Sequence, residues 1–236
     1  MYKAVIAYDG TSYFGWQKTR SGPSIQEEMQ KALAQITGES ILPEAASRTD
    51  RGVHAEGQVI QFALAKVMDL PKLHRGLNAA LPNDIRILQL VPCHFHPTLD
   101  ARGKEYIYRL STGPVQDPVN RLYAWHVHTP LDLAKMERAA QELIGTHNFT
   151  AFANEEEKDP ICTIESIDFR AQLEIVIKGN RFLYKMVRNI VGALVYVGQG
   201  KLVSLAEILR SQDRKKGGVT APAHGLHLHQ VFYGVK

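Results

Sequence analysis

The stretch that decides the fold joins KAVIAYDG at residues 3–10 to GPSIQEEMQKALAQITG at residues 22–38. The first run is short and apolar and closes with an Asp-Gly turn pair, which is typical of a β-strand. In the second run, Ser24 and Glu27 form a capping box, apolar residues recur on one helical face, and Gly38 follows the last of them. The pattern predicts a strand followed by an amphipathic helix that ends at Gly38.

The flanking sequence extends this pattern into two similar units. In the first part, strands are predicted at residues 3–8, 40–47, 58–64 and 84–91, with a second helix from about residue 70. In the second part, strands are predicted at 104–111, 162–170, 172–178 and 226–233, and helices at 132–144, 181–197 and 204–211. The order β-α-β-β-α-β is that of a ferredoxin-like unit. We therefore expect an α+β fold of two ferredoxin-like units with antiparallel sheets, residues 1–100 and 101–236, and an active-site cleft between them.

The amino-acid composition excludes several classes of protein, among them disordered and membrane-spanning ones. The 236 residues carry 44% hydrophobic and 22% charged side chains, which excludes global disorder. Cys93 and Cys162 form no C-x-x-C pair, and the longest apolar stretch, residues 190–197, is too short to span a bilayer. No signal peptide is expected at the N-terminus, so we expect a soluble, cytoplasmic protein. The formal net charge of +4 only weakly favours a nucleic-acid partner.

The most unusual local sequence is SRTDRGVH at residues 47–54, in a predicted surface loop. Asp50 lies between Arg48 and Arg51, and two guanidinium groups favour the ionised carboxylate. Such an anion suits nucleophilic attack or charge stabilisation better than proton donation. The alternative is an ordinary solvated polar turn.

The predicted helix at residues 181–197 is apolar nearly all round, which predicts burial. Arg188 lies in its middle, and a buried guanidinium requires an anionic partner. An ordinary ion pair with Glu207 or Glu165 is one interpretation. The other is that Arg188 faces the cleft between the two units and pairs with Asp50.

Tyr106 and Tyr108 lie on one face of the predicted strand at 104–111. Two tyrosines in this arrangement usually pack into a core. The functional alternative is that a ring stacks on a flat base, as proteins hold extruded nucleotides.

Ten histidines, six of them in H-x-H pairs, raise the possibility of a metal site. The pairs are His94-x-His96, His126-x-His128 and His227-x-His229. None has a carboxylate or cysteine in a recognised ligand pattern, so we expect no catalytic metal, and a His-based metallohydrolase is a weak alternative. The sequence also lacks a glycine-rich phosphate loop and the G-x-S-x-G motif, so we expect no cofactor.

Taken together, these segments resemble the TruA family of tRNA pseudouridine synthases over nearly the whole chain. The matching blocks, in order, are YDGTSYFGWQ (8–17), SRTDRGVHA (47–55), LNAALP (77–82), GKEYIY (103–108), FLYKMVRNIVG (182–192) and APAHGL (221–226). The resemblance implies isomerisation of uridine to pseudouridine at positions 38, 39 and 40 of the tRNA anticodon stem-loop, without cofactor or metal. It also implies a homodimer with the tRNA lying across both subunits.

The resemblance assigns roles to five residues. It implies that Asp50 is the catalytic nucleophile, that Tyr106 stacks on the uracil and that Arg188 pairs with the catalytic carboxylate. It further implies that Arg48 helps to displace the base and that Leu226 lines the pocket.

Residues 95–101, FHPTLDA, depart from the F-H-A-R-F-S-A that the family often has, so a phosphate contact is not expected there. The alternative function, from another class of protein, is a non-catalytic RNA-binding protein of two RRM-like units. We find no RNP1 pattern to support it.

Overall fold

The computed structural model describes residues 1–156 and 158–234; residues 157, 235 and 236 lie outside these ranges. The described residues form ten strands and five α-helices, so the predicted α+β class is confirmed. None of these helices combines the length and the apolar character needed to cross a membrane.

The chain divides into two compact units. Unit 1 comprises Met1–Arg102 together with the stretch that begins at His227, and unit 2 comprises Gly103–Leu226. The final strand is therefore grouped with the N-terminal unit, although it comes last in the sequence. The domain division at residue 100, as a division of function, stays a prediction.

The sheet of unit 1 has its first strand, β1, between two antiparallel neighbours. Its elements are β1 (Tyr2–Tyr8), α1 (Ile25–Thr37), β2 (Glu44–Ala45), β3 (His54–Phe62), α2 (Leu70–Ala80), β4 (Ile85–Pro92) and β10 (Leu226–Tyr233). Strand β1 pairs antiparallel with both β3 and β4. The other edge of β3 pairs antiparallel with β2 near Ile60 and parallel with β10 near His54.

Helix α1 begins and ends where its capping residues predict. The Ser24 hydroxyl accepts a hydrogen bond from the Glu27 backbone N–H at 3.3 Å, which satisfies one free donor of the first turn. Gly38 ends the helix with φ of 73°, a conformation that glycine adopts at little cost. Met29 and Leu33 are fully buried on its inner face.

Unit 2 also has a mainly antiparallel sheet. Its elements are β5 (Ala101–Thr112), β6 (Trp125–Val127), α3 (Leu133–Gln141), β7 (Gly145–Asn148), β8 (Ile161–Arg170), β9 (Glu174–Gly179), α4 (Met186–Gly198) and α5 (Leu205–Ser211). Strand β9 lies between β5 and β8, and β7 extends the sheet beyond β8. The short strand β6 pairs in parallel with the end of β5.

The predicted helix at residues 181–197 begins five residues later than expected, at Met186. Lys185 has a left-handed backbone with φ of 60°, and a left-handed residue cannot continue a right-handed helix. Arg181 therefore lies outside the helix, where its side chain donates hydrogen bonds to the backbone carbonyls of Ile161 and Asp159. As a result, Arg188 lies in the first turn of α4 and not in its middle.

Three other elements differ from prediction. Strand β2 has two residues instead of the eight predicted at 40–47, because it pairs with β3 only at Gln61 and Ile60. Helix α3 ends at Gln141, three residues early. The short strands β6 and β7 were not predicted, since three or four residues show no clear periodicity.

Helix α4 packs its backbone directly against the segment at 218–221. A Cβ atom added to Gly192 would lie 1.8 Å from the Val219 carbonyl oxygen, which real atoms never do. Gly76, in the middle of α2, has only the flexible Ile36 side chain near its own Cβ position, at 3.4 Å. The two glycines are thus both helical but differ in what surrounds them.

We expect Gly192→Ala to destabilise the protein by about 3 kcal/mol, because backbone must move to admit the methyl group. Gly76→Ala is the matched control and should leave stability unchanged or raise it by up to about 1 kcal/mol. Denaturant unfolding of both variants checks the prediction. Equal stabilities would contradict the close approach at Gly192.

Candidate active site

The Asp50 loop, residues 47–54, is fixed by backbone hydrogen bonds to the segment that follows β1. The Trp16 N–H donates to the Thr49 carbonyl at 3.1 Å, and the Gly52 N–H donates to the Tyr13 carbonyl at 3.2 Å. Within the loop, the Val53 N–H donates to the Asp50 carbonyl at 3.1 Å. These bonds rule out a freely solvated turn.

Two glycines allow this close contact. A Cβ atom on Gly10 would lie 2.0 Å from the Val53 carbonyl oxygen, and one on Gly15 would lie 2.4 Å from the Thr49 carbonyl oxygen. Gly15 also has φ of +91°, which side chains rarely tolerate. The motif at residues 8–17 is therefore the backbone support of the Asp50 loop.

Buried polar side chains hold the loop from within unit 1. Gln58 is fully buried, donates to the Ser47 carbonyl at 2.7 Å and accepts from the Ser47 N–H at 3.2 Å. The Thr49 hydroxyl hydrogen-bonds the Tyr8 hydroxyl at 2.7 Å. Sequence analysis did not identify Gln58, whose only signal was a polar residue in an apolar strand.

The charged side chains of the loop differ in exposure. Asp50 is half-buried, whereas Arg48 and Arg51 are exposed. The Arg51 guanidinium lies 4.1 Å from the ring centre of Phe14, a cation–π contact that orients it. Arg48 is thus open to an incoming ligand, while Asp50 is held at the edge of the folded unit.

His54, the last residue of the loop, belongs to the interior. It is 3% exposed, its Nδ1 lies 3.1 Å from both the Gly10 nitrogen and Asp9 Oδ1, and its ring stacks on His227 at 4.7 Å. Glu56 lies 2.7 Å from Nδ1 of His229. These contacts join the end of the Asp50 loop to the start of β10.

In unit 2, Tyr106 and Tyr108 have different surroundings. Tyr106 is 7% exposed, and its ring meets the Phe182 ring edge-on at 5.3 Å. Tyr108 is fully buried and donates its hydroxyl to the Pro222 carbonyl at 2.8 Å. Burial raises the pKa of Tyr108, and the nearby positive charge of Arg188 partly opposes that shift. For Tyr108, the core interpretation is therefore the better one.

Arg188 is half-buried, less than sequence analysis expected, although Met186 and Val187 before it in the first turn of α4 are buried. Its Nε donates to the Ala221 carbonyl at 2.7 Å, and the Ala221 N–H donates to the Arg188 carbonyl at 3.0 Å. Burial lowers the pKa of His224; a hydrogen bond with the Ala124 backbone opposes this shift, and the Arg188 charge adds to it. Of the two carboxylates considered as partners, Glu165 pairs with Lys178 at 2.6 Å and Glu207 is exposed.

Leu226 is buried and opens strand β10. It follows a 3-10 turn at Ala223–Gly225, where a Cβ atom on Gly225 would lie 2.6 Å from the Tyr108 ring. The APAHGL motif thus packs glycine against an aromatic ring and sets the position of Leu226.

Asn189, next to Arg188, is the centre of a buried polar network that sequence analysis missed. It is fully buried, and its amide donates to the Phe152 carbonyl at 2.6 Å and to Asn154 Oδ1 at 2.7 Å. Its oxygen accepts from Arg214 and from the Thr220 hydroxyl, each at 2.7 Å. The network ties the first turn of α4 to the segment that also holds Arg188.

The predicted site residues thus come from both units: Arg48 and Asp50 from unit 1, Tyr106, Arg188 and Leu226 from unit 2. In the part of the chain that the structure describes, no three His, Cys, Asp or Glu side chains are grouped as metal ligands would be.

Comparison with known proteins identifies the family of this chain. The family model of tRNA pseudouridine synthase matches residues 4–96 and 139–234. The chain belongs to this family. It is 50% identical over 244 residues to tRNA pseudouridine synthase A 2 of Protochlamydia amoebophila, covering 98% of this chain and 93% of that protein. The family resemblance is therefore confirmed, and with it an isomerase that forms pseudouridine in tRNA.

More distant relatives agree. The chain is 41% identical to tRNA pseudouridine synthase A of a Thermoanaerobacter strain, over 97% of this chain and 98% of that protein. It is 42% identical to the Chlamydia trachomatis enzyme of the same name, over 97% and 90%. The match spans nearly the full length in each case, so both units belong to the family.

We expect Asn189→Leu to lower the free energy of unfolding by about 3 kcal/mol or more, because it leaves several buried polar groups unpaired. Asn83→Leu is a suitable control, since Asn83 is exposed and its side chain accepts a hydrogen bond from the exposed end of Arg86; the change should cost less than about 1 kcal/mol. Thermal unfolding of the two variants gives the comparison. A stable Asn189→Leu protein would mean that the network does not hold α4.

Proposed function

We propose that Asp50 is the nucleophile with which this protein converts uridine to pseudouridine at positions 38, 39 and 40 of the tRNA anticodon stem-loop. The observation that carries the proposal is the half-buried carboxylate on a loop whose backbone is fixed on both sides. A reacting group held in this way loses little freedom when substrate arrives. Family membership supplies the reaction.

The reaction needs no reagent besides the enzyme and the RNA. The N1–C1′ bond of the nucleotide breaks, the uracil turns, and a C5–C1′ bond forms. C5 loses a proton and N1 gains one, so substrate and product are isomers and no cofactor is consumed. Asp50 has three possible targets: C1′, C6 and the proton on C2′.

A uridine inside a stem is out of reach of a carboxylate, so the nucleotide must first leave the stack. We assign Tyr106 the stacking surface for the extruded uracil and Leu226 a place in the wall of the pocket. Arg48 is exposed, which suits the role of displacing the base. The Phe182 ring contacts the Tyr106 ring edge-on, which restricts how the Tyr106 ring can turn.

We assign Arg188 the role of partner to the Asp50 carboxylate, in an active-site cleft between the two halves of the chain. Its Nε–H is committed to the Ala221 carbonyl, and this bond aims the guanidinium. An ion pair of this kind keeps the carboxylate ionised and in place, at some cost in nucleophilicity.

The proposed architecture is two ferredoxin-like units that carry these residues, in domains 1–100 and 101–236. In unit 1 the order β1-α1-β2-β3-α2-β4 and the pairing of β3 with β1 and β2 support it. In unit 2 the order is β5-β6-α3-β7-β8-β9-α4; without the short strands β6 and β7 it follows the same series, and β9 lies beside β5 and β8. We further propose a cytoplasmic homodimer with the tRNA lying across both subunits, which the mass of the complex in solution tests.

We expect Asp50→Ala to abolish pseudouridine formation while tRNA binding persists. Asp168→Ala, at an exposed position of β8, is the matched control and should keep wild-type turnover. Mapping pseudouridine in tRNA after incubation with each purified variant gives both the activity and the modified positions.

Activity retained by Asp50→Ala would refute the nucleophile. A wild-type protein that binds tRNA without making pseudouridine would instead favour the non-catalytic RNA-binding alternative. Modification outside positions 38–40 would correct the substrate site alone.

We expect Tyr106→Phe to change tRNA affinity by less than about threefold, because the stacking ring remains. Tyr106→Leu removes the ring and should weaken binding about tenfold or more, the usual value of one base–aromatic stack. Titration of fluorescent tRNA measures both. A large loss in Tyr106→Phe would assign the contact to the hydroxyl and not to the ring.

A further inference from the structure

The face of β5 that carries Tyr106 also carries Lys104. Residues two apart on a strand point to the same side, about 7 Å apart along the chain. Opposite Lys104, on β9, is Gly179, which contributes no side chain. The Phe182 ring lies over Gly179, 3.1 Å from where its Cβ would be, and meets Tyr106 edge-on. Lys104 and Tyr106 thus lie on the same face of the sheet. On that face the Phe182 ring covers Gly179 and touches Tyr106.

The acidic residues nearest in register belong to the other face of the sheet. Glu105 follows Lys104 on β5 and therefore points to the opposite face. There its negative charge helps to raise the pKa of Lys178, whose ammonium group lies 2.6 Å from the Glu165 carboxylate. Among residues 1–156 and 158–234, no carboxylate forms an ion pair with Lys104 and no group hydrogen-bonds its side chain. Within these ranges the ammonium group of Lys104 therefore has no anionic partner.

Lys104 is also poorly hydrated. It is half-buried, and burial lowers the pKa of its ammonium group to about 8. At pH 7 the group is still mostly protonated, so the folded protein holds a positive charge that neither water nor an anion fully stabilises. Such a charge lowers stability unless a ligand compensates for it.

We propose that Lys104 binds a phosphate of the tRNA backbone beside the uridine that stacks on Tyr106, an inference that rests on the proposed function. A phosphodiester carries a full negative charge at neutral pH, whereas the uracil carbonyls are neutral. Only the phosphate compensates for the charge of Lys104.

We expect Lys104→Met to weaken tRNA binding about tenfold, the value of one charge-assisted contact, and to reduce the salt slope of binding by about one. The same change should raise the unfolding temperature by a few degrees, because it removes an uncompensated charge. Lys104→Arg keeps the charge and should keep the salt slope. A merely structural lysine would give lower stability and unchanged salt dependence.

The matched control is Lys178→Met, on the opposite face of the same strand pair, which should bind tRNA like the wild type. Equal losses in both variants would indicate general electrostatic attraction and overturn the proposed site. So would wild-type affinity in Lys104→Met, or a loss confined to kcat at saturating tRNA. Pseudouridine formation by the wild type, measured in parallel, tests the proposed function separately.

Discussion

The close contact between the segment that follows β1 and the Asp50 loop is the constraint on which the site in unit 1 depends. Gly10 and Gly15 leave no room for a side chain, so backbone meets backbone directly. Unit 2 uses the same device, since Gly192 brings α4 against the segment that holds Arg188. In both units a close contact at glycine fixes the main chain, and the fixed main chain in turn sets the positions of the Asp50 and Arg188 side chains.

The fold was predictable wherever the signals are local. Strand β1 follows from its short apolar run and the Asp-Gly turn pair, and helix α1 from its two caps, because each signal depends on neighbouring residues. The start of α4 was not predictable in this way. Apolar composition continues through residues 182–185, and only the left-handed backbone of Lys185 stops the helix. Strand β2 is short because its partner β3 pairs with it at two positions, which is a tertiary effect.

The residues of the candidate site also differ in whether their signal is local in sequence or depends on distant partners. Asp50, with its flanking arginines, is visible as an unusual charge pattern in a loop. Gln58 and Asn189 are not, because a buried polar residue is explained by its partners, and those of Asn189 lie 25 to 37 positions away in sequence. Lys104 was visible only as a basic residue before an aromatic strand. Its significance depends on the register with Gly179 and on the lack, among the described residues, of an ion-pair partner for its ammonium group, and neither can be read from one strand.

The pairing of β10 with β3 has a consequence for how the protein is made. His227 of β10 stacks on His54, the first residue of β3. Strand β3 is therefore paired with a segment more than 170 residues further along the chain. A nascent chain leaves the ribosome N-terminus first, and domains generally fold as they emerge. Here the first-made unit must wait for residues 227–233 before its sheet is complete. The stacking of His227 on His54, at the end of the Asp50 loop, can therefore form only after residues 55–226 have been synthesised.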